Sequence, residues 1–329
     1  MKSFGMRKIS NQLLWLSHPW NRFWFEPSMP TNLGICRFVF CSSILYLYLR
    51  YNTGDWADIS DVFWMPILLF EYLHLPVLPS HVLSFMSLAW KVALALGAVG
   101  FLTRVSIGTA FLLSFYVLGL QHNFGKVHHS DAIIVLVLGI LTLSRCGHAW
   151  SLDRVIQQYR ERQHPSQKQP EPSGEYTWPI RLVWVLIALI YFGAGFSKLT
   201  RGGITWVSAE NLASLLIKSQ YYHLPPTTWG LYLAQYSWMC FTLALGTIVL
   251  EVGAPLALVS RRLRLIFIPG LWLMQLSIWL LMGVAFIPFL ITALFWVPWD
   301  QARHVFGFCR KLWYVDERHA KQLTRKDKR

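Results

Sequence analysis

The chain has few charged residues. Only 14% of its 329 residues are Asp, Glu, Lys or Arg, whereas 54% are hydrophobic and 16% are aromatic. A soluble domain carries about a quarter charged residues, so this composition excludes an ordinary soluble protein. Apolar runs long enough to cross a hydrocarbon core of about 30 Å recur along the chain. The composition therefore predicts an all-α, polytopic membrane protein that has the lipid bilayer as its main partner.

Cysteine and histidine patterns that would indicate a disulfide framework or a metal site are also missing. The cysteines number five, which is odd, and none of them has CxxC spacing. The neighbouring residues His128 and His129 would point about 100° apart on a helix, so they would share one ion only if the chain kinked between them. We therefore predict no metal. No internal repeat is evident either, which argues against a transporter built from inverted halves.

The apolar runs predict about eight transmembrane helices. The uncharged run at 265–299 is too long for one crossing at about 1.5 Å per residue, so we predict a helical hairpin that breaks near Gly283–Pro288. Segment 60–78 is apolar too, but its prolines and charges favour an interfacial or re-entrant loop. The other predicted spans are 33–49, 82–102, 105–121, 129–145, 179–199 and 236–258.

Basic residues are distributed unevenly between the two sides of the predicted bundle. Lys and Arg collect before the first span, after the second, fourth and sixth spans, and in the tail, whereas the loop after the first span is acidic. Because Lys and Arg concentrate in cytoplasmic loops, both termini are expected on the cytoplasmic side of a bacterial inner membrane. The net charge of +14 follows from this topology and requires no nucleic-acid partner.

The chain divides into three predicted regions. Residues 1–28 form an amphipathic, Trp-rich cytoplasmic segment, residues 29–300 the transmembrane domain, and residues 301–329 a basic cytoplasmic tail. Within the domain, residues 153–178 are polar, contain prolines and show no apolar periodicity, so we predict a mobile cytoplasmic linker there. The tail is too short to bury its own core, and any activity is therefore expected in the helix bundle.

Ionisable residues inside predicted spans are candidate functional sites or paired structural groups, because burying a charge is costly. Lys198 follows the uncharged run Leu182–Ser197 and is either a protonated anchor at the headgroups or a base held in a dry pocket. Arg37 and Glu251 lie at matching predicted depths in the first and sixth spans, which favours a structural ion pair. Lys91 has no depth-matched acid, and its role stays open.

The loop between the third and fourth predicted spans is rich in histidine. It reads QHNFGKVHHSD and carries His122, His128, His129 and Asp131. These histidines are either simply solvated or part of a site. The predicted topology places the loop on the same outer face as Lys198. The alternative to solvated histidines is therefore an outward-facing cavity where the lysine meets histidine donors and the aromatic wall of Trp206.

Three strings resemble the membrane domain of vitamin K-dependent gamma-carboxylases, which defines the HTTM superfamily. The strings are PTNLGICRFVF at Pro30–Phe40, HS at His129–Ser130 leading to GHAWSLD at Gly147–Asp153, and YFGAGFSKL at Tyr191–Leu199 followed by Trp206. The resemblance runs from about residue 20 to residue 300 and keeps the order of the motifs. It implies a helix bundle in which a lysine deprotonates reduced vitamin K, and the oxygenated cofactor then prepares a substrate glutamate for carboxylation.

The resemblance also assigns roles to individual residues. Lys198 matches the lysine base and His129 matches a histidine associated with the active site, while Arg37 and Glu251 match an arginine and an acid of the family pattern. It implies as cofactor a reduced naphthoquinone, either vitamin K or menaquinone hydroquinone. The residues expected to bind this cofactor are Trp206, Arg201 and His128.

The chain departs from the family pattern in ways that leave its function open. The carboxylases have a large lumenal domain after the helices, whereas a short basic tail follows them here, and Ser197 replaces a second lysine. The penultimate span, PGLWLMQLSIWLLMG, lacks the family histidine. One hypothesis is an enzyme that carboxylates or oxidises an unknown acceptor. A second hypothesis is a non-carboxylase factor for maturation or export of a secreted peptide, as in proteins resembling sporulation-delaying toxin maturation factors. A transporter is a third and less favoured hypothesis.

Overall fold

The computed structural model describes residues 18–125, 129–163, 171–222 and 228–302, and its regular elements in these ranges are helices. An isolated antiparallel bridge joins Ser28 to Ser173. The helices of the first half are α1 Pro19–Phe25, α2 Thr31–Leu47, α3 Leu68–Tyr72, α4 Ser80–Val99, α5 Thr103–Gly119, α6 His129–Leu143, α7 Leu152–Gln163 and α8 Trp178–Gly202. Those of the second half are α9 Ala209–Tyr222, α10 Thr228–Ala234, α11 Ser237–Gly253, α12 Leu256–Val259, α13 Arg261–Met282 and α14 Ile287–Thr292. Trp299–Ala302, α15, belongs to a separate unit that begins at Pro298.

Four helical segments among the described residues are long and apolar enough to cross a membrane. They are Ser80–Val99, Thr103–Phe124, Gly174–Val207 and Arg261–Met282. A fifth candidate is the pair α10 and α11, which passes the same test as one unit but is bent by 106°. Three other predicted spans correspond to shorter apolar helices at Thr31–Leu47, Ser130–Leu143 and Ile287–Trp296. The all-helical class and several membrane-crossing helices are confirmed, while the total of eight stays a prediction.

Glycines in the left-handed region end two of the long helices. Gly100 caps α4 with φ of 72°, and a Cβ there would lie 2.4 Å from the Cβ of Ser151. Gly283 caps α13 with φ of 73°, where the sequence predicts the break of the hairpin. Only glycine adopts this conformation without steric cost. The break is confirmed, but the helix after it, α14, has six residues and is mostly buried.

The core lies where α14 meets the two halves of the bundle. In the first half α2 packs on α4, α4 on α5 and α5 on α6, and in the second half α8 packs on α11. Helix α14 contacts α2 and α6 of the first half and α8 and α13 of the second. Fully buried apolar side chains, Leu33, Phe40, Ile44, Trp90 and Leu94 among them, fill the first half. The short apolar helix α14 is therefore part of the core. Composition alone does not distinguish such a helix from a segment that faces lipid.

Segment 60–78 has the irregular backbone that its prolines predict. It contains one turn of 3-10 helix at Asp61–Phe63 and the five-residue helix α3. Phe70 of α3 is buried in a cluster with Leu83 and Tyr116, and the Tyr116 hydroxyl donates to the carbonyl of Pro76 at 2.5 Å. The segment is therefore folded onto the ends of α4 and α5. Its position at a membrane interface stays a prediction.

The first part of the predicted linker at 153–178 is helical and forms most of α7, whereas its mobility and its cytoplasmic position stay predictions. Asp153 accepts hydrogen bonds from the backbone N–H and the hydroxyl of Thr103, both at 2.7 Å, and so caps the start of α5. Arg154 forms an ion pair with Glu161 at 3.1 Å. These contacts fix a sequence that lacks apolar periodicity. Residues 164–170, like 1–17 of the predicted amphipathic segment and 303–329 of the tail, lie outside the described ranges.

Candidate functional site

Lys198 and Glu251 form an ion pair at the ends of two helices. The ammonium Nζ of Lys198 lies 2.5 Å from Oε1 and 2.5 Å from Oε2 of Glu251, so it donates to both carboxylate oxygens. The Lys198 side chain is 28% exposed, whereas that of Glu251 is 6% exposed. The lysine is therefore the accessible member of the pair, and the carboxylate lies behind it.

Trp206 forms one wall of this site. Nζ of Lys198 lies 4.9 Å from the centroid of the Trp206 ring, a distance at which a cation is attracted to the negative face of an indole. A 3-10 turn at Gly203–Val207 directly after α8 places the indole there. Gly202 is packed against Trp206, because a Cβ on Gly202 would lie 3.2 Å from the Cβ of the tryptophan.

A glycine in the motif YFGAGFSKL explains how α8 and α11 come this close. A Cβ on Gly195 would lie 2.9 Å from the Cβ of Glu251 and 3.0 Å from the backbone nitrogen of Val252. Residues three apart share a helix face, so Gly195 faces α11 on the same side as Lys198. The absence of a side chain at Gly195 therefore lets the lysine reach the carboxylate.

The predicted ion pair between Arg37 and Glu251 is wrong. Arg37 is fully buried, and its guanidinium donates to the carbonyl of Cys146 at 3.2 Å, to that of Ala98 at 3.4 Å, and to that of Trp150. Ala98 lies in the last turn of α4, whose carbonyls carry the negative end of the helix dipole. Backbone carbonyls, rather than a carboxylate, compensate this charge, and Arg37 ties α2 to α4 and to the connection after α6.

The contact between Lys198 and Glu251 also corrects the depths assigned from the sequence. Counting along straight spans places Lys198 at the outer end of its helix and Glu251 towards the cytoplasmic end of the sixth span. The predicted span 236–258 is not one straight helix, because α11 ends at Gly253 and the short helix α12 follows it. Lys198 lies just before the last turn of α8 and Glu251 lies in the last turn of α11. Their contact places the two residues at one level of the bundle.

The other predicted site residues are not brought into this pair by the part of the chain that the structure describes. Arg201 is exposed, one turn beyond Lys198 on α8. Helix α6 begins at His129, but the side chain of His129 and the whole of His128 lie outside the described part. Whether these histidines approach Lys198 therefore stays a prediction.

The described residues of the histidine-rich loop form a separate polar cluster. Asp131 accepts a hydrogen bond from the Tyr48 hydroxyl at 2.7 Å and one from the Gln121 amide at 2.5 Å. Nε2 of His122 lies 3.3 Å from the same carboxylate. Nearby, Nζ of Lys91 donates to the carbonyl of Tyr51 at 2.6 Å. Lys91 thus has a backbone partner, and among the described residues no group of three His, Cys, Asp or Glu side chains could hold a metal ion.

Two residues near the pair were not singled out by the sequence. The Gln275 amide donates to the Tyr191 hydroxyl at 3.1 Å, and the buried Oε1 of Gln275 has no hydrogen-bond partner among the described residues. They line a narrow cleft with Phe289 whose void is about 10 Å³, room for one water molecule. Tyr191 lies one turn before Gly195 on α8. An amide inside an uncharged run, in the helix where the family histidine is missing, is the signal that could have identified Gln275.

Comparison with known proteins supports the family resemblance. The family model of the HTTM domain matches residues 25–300. No curated protein and no solved structure gives a match. The matched region contains Lys198, Trp206 and Glu251 and covers more than half of the chain. The chain therefore belongs to the HTTM domain family.

Proposed function

We propose that the chain is a membrane enzyme with chemistry similar to that of the vitamin K-dependent carboxylases, in which Lys198 and Glu251 accept a proton from a reduced naphthoquinone. The observation that supports this proposal is the contact of the accessible Lys198 amine with a buried carboxylate, beside the ring of Trp206. HTTM membership supports it as well, because this domain is associated with the membrane part of those carboxylases.

The pair can act as a base because the proton between Lys198 and Glu251 can lie either on the amine or on the carboxylate. An ammonium cannot accept a proton, but Lys198 becomes a neutral amine when its proton moves to Glu251. In water the ion pair is strongly preferred, whereas a dry site penalises both charges and brings the neutral amine and acid closer in energy. Lys198 is the more exposed partner and would meet the substrate hydroxyl, while Glu251 holds the transferred proton. A base so placed is typically worth about 10²- to 10⁴-fold in rate.

The residues around the pair fit a naphthoquinone ring on the Trp206 side. The indole offers an aromatic face for stacking, and the exposed cation of Arg201 lies one turn beyond Lys198, where it would favour a developing phenolate. The cleft at Gln275 admits about one water molecule and is too small for a ring. When bound, the reduced naphthoquinone supplies the electrons that, with dioxygen, generate a base strong enough to remove a carbon-bound proton.

Three parts of the proposal lie beyond the described contacts. His129 is the proposed second catalytic residue and His128 a further cofactor contact, both from the loop before α6. The acceptor is a small molecule or a secreted peptide that is carboxylated or oxidised. The bundle is oriented with both termini in the cytoplasm, so the end of α8 that carries Lys198 faces outward.

The test measures quinone turnover and carboxylation together. The purified full-length chain in lipid nanodiscs is supplied with reduced menaquinone or reduced vitamin K, dioxygen and labelled bicarbonate, and quinone epoxide and incorporated label are quantified. Lys198→Arg retains a cation that can pair with Glu251 but cannot become a neutral base. We expect it to lower epoxide formation about a hundredfold or more, and Lys218→Arg, at an exposed lysine of α9, to leave it unchanged.

Two outcomes contradict the proposal. One is wild-type protein that forms no epoxide with either quinone, and the other is Lys198→Arg with wild-type turnover. The alternative, a factor for maturation or export of a secreted peptide, would instead show a genetic dependence on a neighbouring secreted peptide.

A further inference from the structure

A second cavity lies near the start of α8, whereas Lys198 lies near its end. It has a volume of about 320 Å³ and is enclosed by the turn between α4 and α5, the connection after α6 and the first turns of α7. Arg104, Arg145 and His148 contribute basic side chains to its lining. No step of the proposed quinone chemistry uses this cavity. It is large enough for a phosphate group together with part of the molecule that carries it.

The charges that line the cavity are positive in balance. Arg104 is exposed and forms no ion pair with a described residue. Arg145 is paired with Glu175 at 2.8 Å, but both side chains are 47% exposed, so water already competes with this pair. Asp153 is the acid in the lining, and its oxygens are occupied by the N–H groups and the hydroxyl that it caps on α5. Among the described residues, Arg104 is therefore the arginine of the lining that has no ion-pair partner.

The arginines around His148 give a further indication of positive potential in the cavity. Burial lowers the pKa of His148, and the guanidinium groups of Arg145 and Arg104 lower it further. The ring Nδ1 lies 2.9 Å from the Tyr176 hydroxyl, which holds the imidazole in place at the edge of the cavity. The part of this shift that the guanidinium groups cause indicates a positive potential, and such a potential favours an anion.

Apolar side chains border the basic residues. Leu102 and Val105 line the cavity and are 57% and 64% exposed, and Leu143 at the end of α6 is 77% exposed. The cavity also lies at the first residues of the candidate span Thr103–Phe124, where headgroups would surround the helix. A phosphate beside a hydrocarbon chain has the chemistry that matches this combination, and basic pockets at the ends of spanning helices are known to bind acidic headgroups.

We propose that this cavity binds the phosphate of an anionic phospholipid, with Arg104 and Arg145 as donors and Leu102 and Val105 in contact with its acyl chain. Guanidinium groups form short, charge-assisted hydrogen bonds to phosphate oxygens and can do so in pairs. Arg145 reaches the phosphate by exchanging its solvated contact with Glu175. The bound lipid then joins the turn after α4 to the connection after α6.

The test compares lipids on the delipidated full-length chain in neutral detergent. Phosphatidylglycerol and phosphatidylcholine are titrated and bound lipid is counted by native mass spectrometry, in wild type and in Arg104→Gln, Arg145→Gln and the double variant. We expect a preference for phosphatidylglycerol in wild type, a loss of about five-fold in its affinity for each single variant, and no change for phosphatidylcholine. Arg160→Gln is the matched control, because it removes the same charge from an exposed position of α7 outside the cavity.

Three results would overturn the proposal. The first is equal binding of the two lipids by wild type, and the second is a loss in Arg160→Gln as large as that in Arg104→Gln, which would indicate surface charge alone. The third is inorganic phosphate that displaces the lipid and raises the thermal unfolding temperature as the lipid does, because the ligand would then be free phosphate. Thermal unfolding of each variant without lipid verifies that the fold is retained, and Arg145→Lys, which keeps the charge, provides a second variant if Arg145→Gln is unstable.

Discussion

Removing either member of the Lys198–Glu251 pair should destabilise the protein, and the loss of Lys198 should cost more than the loss of Glu251. Taking one partner from a buried ion pair costs about 3–5 kcal/mol, because the other charge is left uncompensated. The carboxylate is 6% exposed and the lysine 28%, so the stranded groups differ. Lys198→Met leaves Glu251 with no route to water and should reach this full cost. Glu251→Leu leaves a lysine that can extend its ammonium to solvent, and we expect about half as much.

The pH dependence of the same variants gives an independent measurement. In Lys198→Met the stranded carboxylate is disfavoured as an anion and takes up a proton as the pH falls. The loss of stability is therefore greatest at neutral and alkaline pH and becomes smaller towards acid pH. Glu251→Leu has no buried acid and should lack this dependence. The double variant Lys198→Met with Glu251→Leu should be more stable than Lys198→Met alone, since no buried charge remains.

The assay is chemical unfolding of the purified protein in detergent, followed by tryptophan fluorescence, for wild type, both single variants and the double variant. The four free energies of unfolding give the coupling between the two side chains. Coupling near zero, or Glu251→Leu as destabilising as Lys198→Met, would refute the assignment of a buried carboxylate held by a more exposed lysine.

Three further predictions concern packing, a buried cation and a histidine. Gly195→Ala should cost about 1–3 kcal/mol in unfolding free energy, because its Cβ would lie 2.9 Å from the Cβ of Glu251, whereas Gly246→Ala, with open space around it, should not destabilise. Arg37→Met should cost about 3 kcal/mol or more, since it leaves three carbonyls without donors; a loss below about 1 kcal/mol would contradict that role. Because burial and neighbouring arginines lower the pKa of His148, the unfolded chain binds a proton first, and stability should fall as the pH drops below about 6.5. His148→Gln should flatten this part of a pH titration of the unfolding temperature, and an unchanged slope would exclude His148 as its cause.

The sequence predicts the class of this protein and part of its site. Composition is sufficient for an all-helical membrane protein, and the three strings at Pro30–Phe40, Gly147–Asp153 and Tyr191–Leu199, taken in their order, are sufficient for the family. Glu251 also stands out as an acid in an apolar run. Its partner could not be predicted, because the predicted depth assumes one straight span over 236–258, whereas α11 ends at Gly253, two residues after Glu251. The close approach at Gly195 is a tertiary contact that helical periodicity does not encode.

The membrane topology could be predicted only in part for a related reason. A run of apolar residues has the same composition whether it faces lipid or other helices. Helix α14 is apolar because it is buried between the halves of the bundle, and α2 likewise has most of one face in the core. Neither reaches the length that a full crossing requires.

The partners of Arg37, Lys91 and Lys198, which all lie inside predicted spans, decide which of these three cations can take part in acid–base chemistry. Arg37 is held by backbone carbonyls, and a guanidinium stays protonated in proteins. Lys91 donates to the carbonyl of Tyr51, an acceptor that cannot take up its proton. Lys198 alone of these three is bound to a carboxylate that can receive a proton and return it. A charge in a membrane helix is therefore insufficient evidence of chemistry, and it is the titratable partner, Glu251, that separates Lys198 from the two structural cations.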